Sequence, residues 1–528
     1  MNTPPTWGPS HQHDRAAECK RRLSNVLQLA ALLLLLAYQP LPLWVLLVAA
    51  VIFRLGWDIY RRRSKPAPVA AKLAAAADPL AAVLDHSRQL GGGVYLGVER
   101  RGDWVCAGPE HAVLLLGPPR SGKTSAVMIP AVLAHPGPVV CASTKPDALD
   151  ATASARSSVG RVWEFDPTGE RPSLRSDARV RWSPISSAQT WDGALLMARA
   201  MVTGSRVGAG TTDSTHWSRR ASALLAPLLH AAALSAQDIG AVAGWVLRHD
   251  LDEATIVLER SRATLAAGVL TGLGNTEVRE RSSIFSAAAD ALDAYSATGA
   301  LAAAREPNVH PASFVRSSDT IFIHAPAEHQ ALAAPLVCGL LSEIRAATYQ
   351  AHHNHVLRSP LLFALDEAAN IAPLHDLPQI ASEGGGQGLQ LLVAFQDLSQ
   401  ARARWGEAAD GFLTLFATKL ILPGIADSRT LETVSVALGE YDRRIVSTTT
   451  TRPRGLVIPP STGQASQHAQ RSRTISTQRQ RILSPGEIGN IPRGRGLHLD
   501  GVAWQLVTLT PAHATQPWCT LVGDRGSR

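Results

Sequence analysis

The stretch that most constrains this chain is Ala112–Ser125, which reads AVLLLGPPRSGKTS. The apolar run Ala112–Leu116 predicts a buried strand, and the apolar Ala126–Leu133 predicts a helix. Between them, Gly117-Pro-Pro-Arg-Ser-Gly122-Lys123-Thr124 fits the pattern G-x-x-x-x-G-K-[ST] in strand–loop–helix context. The glycines let the backbone curl so that its N–H groups face a phosphate chain, and the helix N-terminus adds its positive dipole end. Gly117, Arg120, Ser121, Gly122, Lys123, Thr124 and Ser125 are the predicted cradle. Lys123 is placed to reach the β- and γ-phosphates, and the Thr124 hydroxyl to ligate a metal. ATP with Mg²⁺ is therefore the expected cofactor. The bland alternative is a Gly-Pro surface turn with an exposed lysine, and it leaves the flanking strand and helix unexplained.

Such a loop needs an acid for its metal. Leu361–Leu365 is a continuous apolar run, the mark of a strand buried on both faces. It ends in Asp366-Glu367, where the carboxyl end of a parallel strand meets a ligand crevice. Asp366 suits the Mg²⁺ shell with Thr124, and Glu367 suits the base that orients or activates an attacking water. A third apolar run, Leu389–Phe395, ends in Gln396. That glutamine either senses the γ-phosphate and couples its loss to movement, or caps a helix starting near Leu398. Lys123, Glu367 and Gln396 are the predicted catalytic set.

The block Leu365-Asp-Glu-Ala-Ala-Asn-Ile-Ala-Pro-Leu-His-Asp-Leu-Pro378, followed by Gly384-Gly-Gly-Gln-Gly388, Gln396 and Arg404-Trp-Gly406, resembles the TraG/TraD-type coupling proteins of conjugative type IV secretion. Pro138–Lys145, Phe165-Asp-Pro167, Trp182-Ser-Pro184, His216-Trp217 and Ser435–Gly439 are similar too, so the resemblance runs from about Leu96 to Leu521. It implies a membrane-anchored RecA-like P-loop ATPase that works as a homo-hexamer at the inner membrane, with its bulk in the cytoplasm. It also implies that the protein recruits DNA–relaxase substrates to the secretion channel and drives transfer of single-stranded DNA. One departure stands out. Where that family commonly has Gly-Arg-Gly-Arg-Gly, this chain has Gly384-Gly385-Gly386-Gln387-Gly388. The family's arginines there are candidates for a finger that stabilises γ-phosphate charge across a subunit interface. Arg402, Arg404 or Arg429 is left as the substitute; without one, the chain is a low-turnover docking receptor for secreted proteins. A double-stranded DNA translocase of the FtsK type is a third reading.

The remaining sequence frames this centre. Residues 1–22 form a polar N-terminus. Residues 23–60 hold two apolar runs, Leu23–Tyr38 and Leu41–Trp57, joined by Gln39-Pro40-Leu41-Pro42. A single kinked span and a transmembrane hairpin compete here. Arginines and lysines on both flanks (Arg15, Lys20, Arg21, Arg22; Arg61, Arg62, Arg63, Lys65) favour the hairpin. An Ala/Pro-rich linker is predicted over 61–90. The first part of a RecA-like domain with a mainly parallel sheet follows over 91–185, then an all-α insertion over 186–311. The second part covers 312–528, with a mobile Ser/Thr/Gln/Arg-rich insertion at 447–481. Five scattered cysteines without a CxxC pair give no disulfide or zinc framework. The formal charge of +8 suits nucleic acid or an anionic membrane without choosing between them.

Overall fold

The computed structural model describes residues 69–167, 176–205, 214–451 and 470–523. They fall into two units: residues 69–437 with 484–523, and a smaller one that includes 438–483. The strands, in chain order, are β1 (Tyr95–Val98), β2 (Trp104–Cys106), β3 (Val113–Leu116), β4 (Val139–Ser143), β5 (Val162–Phe165), β6 (Thr320–His324), β7 (Leu361–Leu365), β8 (Leu389–Phe395), β9 (Thr418–Ile421), β10 (Glu440–Thr451), β11 (Gln470–Arg481), β12 (Arg495–Asp500) and β13 (Ala503–Thr508).

The larger unit is built on one eleven-stranded sheet in the order β2-β1-β13-β12-β9-β3-β8-β7-β4-β6-β5. From β9 to β5 every neighbouring pair is parallel. The β12, β13, β1 and β2 side is antiparallel. The parallel strands are covered on both faces, which requires an apolar side chain at nearly every position; β3, β7 and β8 are buried along their whole length. The polar exception in β8 is paired through its amide nitrogen, since Gln390 Nε2 donates to the carbonyls of Gly92 at 2.9 Å and Pro109 at 3.1 Å. Below the sheet's entry edge, the fully buried Arg156 guanidinium donates to Thr320 Oγ1 and to the carbonyls of His135, Gly137 and Ser318.

Between β5 and β6 the chain is helical, in segments that include Trp191–Gly204, Ser214–Leu234, Ile239–Arg248, Asp252–Arg260, Thr264–Gly274 and Val278–Leu292. Ser214–Leu234 is the central helix of this group. Leu224, Leu225, Leu228 and Leu229 form its buried stripe, whereas Trp217 is only half-buried. The one helix among the described residues long and apolar enough to cross a membrane is a core helix. Its Leu336, Val337, Leu340, Leu341 and Ile344 are buried in the sheet unit.

Two expectations change. The linker predicted over 61–90 contains the helices Val69–Ala74 and Pro79–Gln89. Asp78 caps the second, accepting from the Ala81 N–H, and Leu80, Val83 and Leu84 are buried. Alanine is a strong helix former, so an Ala-rich stretch with a cap and a few apolar anchors folds. The insertion read as mobile over 447–481 forms most of a two-stranded antiparallel ribbon, β10 with β11, paired from Glu440↔Arg481 to Thr451↔Gln470. The polar N-terminus and the hairpin over 1–60, the Gly/Thr-rich loop beyond Ser205, and the ribbon's connecting residues 452–469 lie outside the described residues.

Candidate active site

The site is made by register. Leu116, the last residue of β3, pairs with Phe395, the last of β8. On the other side of β8, Leu365 at the end of β7 pairs with Val393. Gly117, Gln396 and Asp366 therefore leave the sheet on one edge, with β8 lying between the loop strand and the acid strand. The sequence alone placed each residue at a strand end; the sheet order makes them neighbours.

The loop is wound tightly. A Cβ on Gly117 would lie 2.7 Å from Ser121 Oγ and 2.9 Å from Leu422 Cβ, so glycine is required. Gly122 turns the chain with φ 100°, and Arg120, exposed at the loop's crest, sits at φ 62°. The helix Lys123–Ala134 follows at once. It opens with a π-type turn in which the Ile129 N–H donates to the Thr124 carbonyl, and its first residues are the cradle residues Lys123, Thr124 and Ser125.

Thr124 Oγ1 donates to Asp366 Oδ2 at 2.7 Å, which joins β3's loop to the end of β7. The Asp366 N–H is held by the Ala142 carbonyl of β4 at 2.8 Å. Asp366 Oδ1 and Ser121 Oγ are buried and have no hydrogen-bond partner among the described residues. Lys123 is buried, and its Nζ donates to the carbonyls of Gly117 at 2.6 Å and Pro118 at 3.1 Å. Burial pulls its pKa below the usual lysine value, against the raising influence of Asp366 and Glu367. An orphaned carboxylate oxygen and a hydroxyl fit Mg²⁺, and the neighbouring ammonium fits a phosphate chain. Glu367, next to Asp366, holds the left-handed conformation at φ 52° and is half-buried. A non-glycine residue held there costs of order 1–3 kcal/mol and marks positions fixed for a purpose.

At the end of β8, the capping alternative for Gln396 falls. Asp397 is the cap of the helix Leu398–Trp405, accepting from the N–H groups of Ser399 and Gln400. Gln396 instead stands between the loop and the acids, its own N–H donating to Gln400 Oε1 at 3.0 Å.

Each of the three arginines named as a substitute has a partner within the chain. Arg402 Nε donates to Asp410 Oδ1 at 2.8 Å, and Arg429 reaches the other oxygen of Asp410 at 3.3 Å. Arg404 donates to the Thr203 carbonyl. All three are engaged inside their own chain. Gly384–Gly388 precedes β8, so it lies at the opposite edge of the sheet from the loop. The seven residues of β8 put it about 23 Å away from its own site. Sequence reading missed Arg493 and Arg495. Leu497 pairs with Ile421, and Ile421 pairs with Leu116, so the antiparallel β12 begins at the loop's edge of the sheet. Both arginines are exposed there. Only strand direction reveals this placement, and a short apolar run does not encode direction. Among the described residues no group of three or more His, Cys, Asp or Glu side chains is arranged to hold a metal.

Residues 360–493 match the family model described as the TraM recognition site of TraD and TraG. The fold is similar to that of the bacterial conjugative coupling protein TrwBdeltaN70 in an unbound monoclinic form, with 17% identity, 78% of this chain and 88% of that chain covered, and a TM-score of 0.58. It is also similar to the plasmid coupling protein TrwB in complex with ADP and Mg²⁺, with 16% identity, 79% and 88% coverage, and a TM-score of 0.57. No curated protein matches the sequence. The shared fold and the matched segment bear out the resemblance carried by Asp366–Gly406: this chain has a fold similar to that of the conjugative coupling proteins, and its residues 360–493 match the TraD and TraG family model.

Proposed function

We propose that this chain is a membrane-anchored ATPase that couples a DNA–relaxase substrate to a type IV secretion channel and drives single-stranded DNA transfer. The observation that carries the reading is the 2.7 Å contact between Thr124 Oγ1 and Asp366 Oδ2, from residues 242 apart in sequence, beside a buried lysine. Thr124 and Asp366 would hold Mg²⁺; Gly117, Arg120, Ser121, Gly122, Lys123 and Ser125 would cradle the phosphates. When bound, Mg²⁺·ATP supplies the phosphoryl group and neutralises its charge. Lys123 carries the compensating ammonium. Glu367 would hold the attacking water and take its proton. Gln396, on the strand between them, links the phosphate's state to the helix Leu398–Trp405. A homo-hexamer in the inner membrane is the assembly this reading calls for.

The docking-receptor reading is favoured by one observation: Arg402, Arg404 and Arg429 are all engaged internally and Gln387 is neutral. ATP turnover by the full chain, with single-stranded DNA, double-stranded DNA or neither, separates these functions. Lys123→Ala should lower turnover at least about 100-fold, because it removes charge stabilisation of the transferring group, and should leave the unfolding midpoint in place. Stimulation by single strands supports the motor, and nucleotide binding without turnover in an assembled sample supports the receptor. Turnover by Lys123→Ala equal to the parent's overturns the site.

A further inference from the structure

The ribbon β10–β11 is a two-stranded antiparallel sheet. Each strand has twelve residues, so the pair is about 40 Å long. Its strands carry Arg443, Arg444, Arg471, Arg473, Arg479 and Arg481 against two carboxylates, Glu440 and Asp442. The carboxylates sit at one end, where Asp442 pairs with Arg479 and Arg479 Nε bonds Glu440 at 3.1 Å. The excess positive charge therefore lies along the rest of the ribbon.

Paired residues share a face. One face presents, in succession, Arg444 with Thr477, Val446 with Ile475, and Thr448 with Arg473. Two arginines on opposite strands thus flank an apolar pair, separated along the ribbon by about 13 Å. Val446 is 47% and Ile475 51% exposed. Neither Arg444 nor Arg473 is held in an ion pair among the described residues. The opposite face carries Ile445 with Ser476 and Ser447 with Thr474, and its Arg443 is tied to Gln480 at 3.2 Å.

We infer that the Arg444/Arg473 face is a docking surface for the phosphate backbone of duplex DNA. Arginine, threonine and serine are the side chains that hold phosphate oxygens, and a two-stranded ribbon is an element that the major groove of B-DNA admits. Single strands are bound on aromatic stacking platforms, and the ribbon's strands have one aromatic, Tyr441, at the carboxylate end. The surface therefore serves recruitment of double-stranded substrate, a step distinct from single-strand transport; this inference rests on the coupling reading above. The competing explanation is that the arginines only keep open strand edges from pairing with other chains.

The test is fluorescence anisotropy of the full chain with a 30-base-pair duplex and a 30-nucleotide single strand over a salt series. Arg444→Gln/Arg473→Gln should flatten the duplex slope of log K against log salt by about 1.8, for two phosphate contacts. Arg444→Lys/Arg473→Lys should restore the slope, since phosphate contact needs only the charge. Single-strand binding and DNA-free ATP turnover should not change. An unchanged duplex slope overturns the surface, and an equal loss on single strands overturns the duplex assignment. A parent that binds neither DNA sinks the coupling reading and the ribbon with it. A parent that binds duplex independently of the ribbon sinks the ribbon alone.

Discussion

Gly385 occupies a position where the resemblance expects arginine, and packing explains why no arginine is there. It opens the short helical turn Gly385–Gln387 that leads into β8. A Cβ at this position would lie 1.9 Å from the carbonyl oxygen of Glu110, 2.5 Å from its carbon and 2.6 Å from its Cα. All three are backbone atoms, so no side chain can swing aside. Separating the two segments to ordinary contact requires a shift of over 1 Å, in a turn that feeds the buried strand β3. Overpacking of this kind costs about 1–3 kcal/mol, and the backbone origin of the clash puts Gly385→Ala at the upper end. At about 2–4 °C per kcal/mol for a large domain, the unfolding midpoint should fall by roughly 5–10 °C. Gly386→Ala is the matched control: a Cβ there meets nothing within 4 Å. Its change should stay within about 0.5 kcal/mol. Thermal unfolding of the two variants beside the parent decides the matter, and equal midpoints for both refute the packing argument. Gln387 is exposed and has the room that Gly385 lacks. If this turn faces a neighbouring copy's phosphates, Gln387→Arg should raise ATP turnover of an assembled sample by tenfold or more, within the range a supplied arginine gives. Unchanged turnover in a sample shown to be assembled rules that placement out.

Two other perturbations test the sheet and the site. His135 is buried, its Nε2 lies 2.9 Å from the Pro360 carbonyl, and burial, aided by Arg156 and opposed by that bond, holds its pKa down to about 3. The unfolded chain takes up this proton near pH 6.5 and the folded chain does not, so stability falls as pH drops from about 6.5 toward 3, by up to about 1.4 kcal/mol per pH unit. His135→Gln keeps a donor for Pro360 and should make the decline in unfolding midpoint between pH 6.5 and 4.5 shallower; an unchanged slope refutes the assignment. Asp366→Asn preserves an acceptor for Thr124 but removes the charge, so Mg²⁺ should no longer strengthen binding of a non-hydrolysable ATP analogue. Retention of the parent's Mg²⁺ dependence in calorimetric titration removes Asp366 from the metal shell.

What the sequence disclosed follows from how strongly each element is marked. Strands buried on both faces must be apolar throughout, so LLFAL and LQLLVAF announce β7 and β8 with their ends intact. The phosphate loop is legible because glycine, lysine and threonine each answer a separate demand. The ribbon is not legible. Its strands bury no continuous face, so polar alternation and mobile loop read alike, and cross-strand pairing supplies what the composition lacks. Arg493 and Arg495 stay hidden because an apolar run gives a strand but no direction. The Gly384–Gly388 departure was visible as lost charge, whereas its steric cause lay in Glu110, 275 positions earlier than Gly385 and brought to it only by the sheet.

The position of β8 gives these observations one logic. It is the strand between the loop and the acids, with Gln396 at the phosphate edge and the Gly384–Gly388 turn at the other. It is buried along all seven residues and paired on both sides. In the ring proposed above, the far edge of one sheet would have to act on the next copy's phosphates if it acts on any, because β8 holds it about 23 Å from its own. The same strand would then serve two sites: its own through Gln396 and a neighbour's through residue 387. In that arrangement a chain with glutamine at 387 would keep the strand's connection while giving up the charge at its tip. Binding of nucleotide and sensing of its state would survive in such an arrangement, and acceleration of hydrolysis is what would weaken.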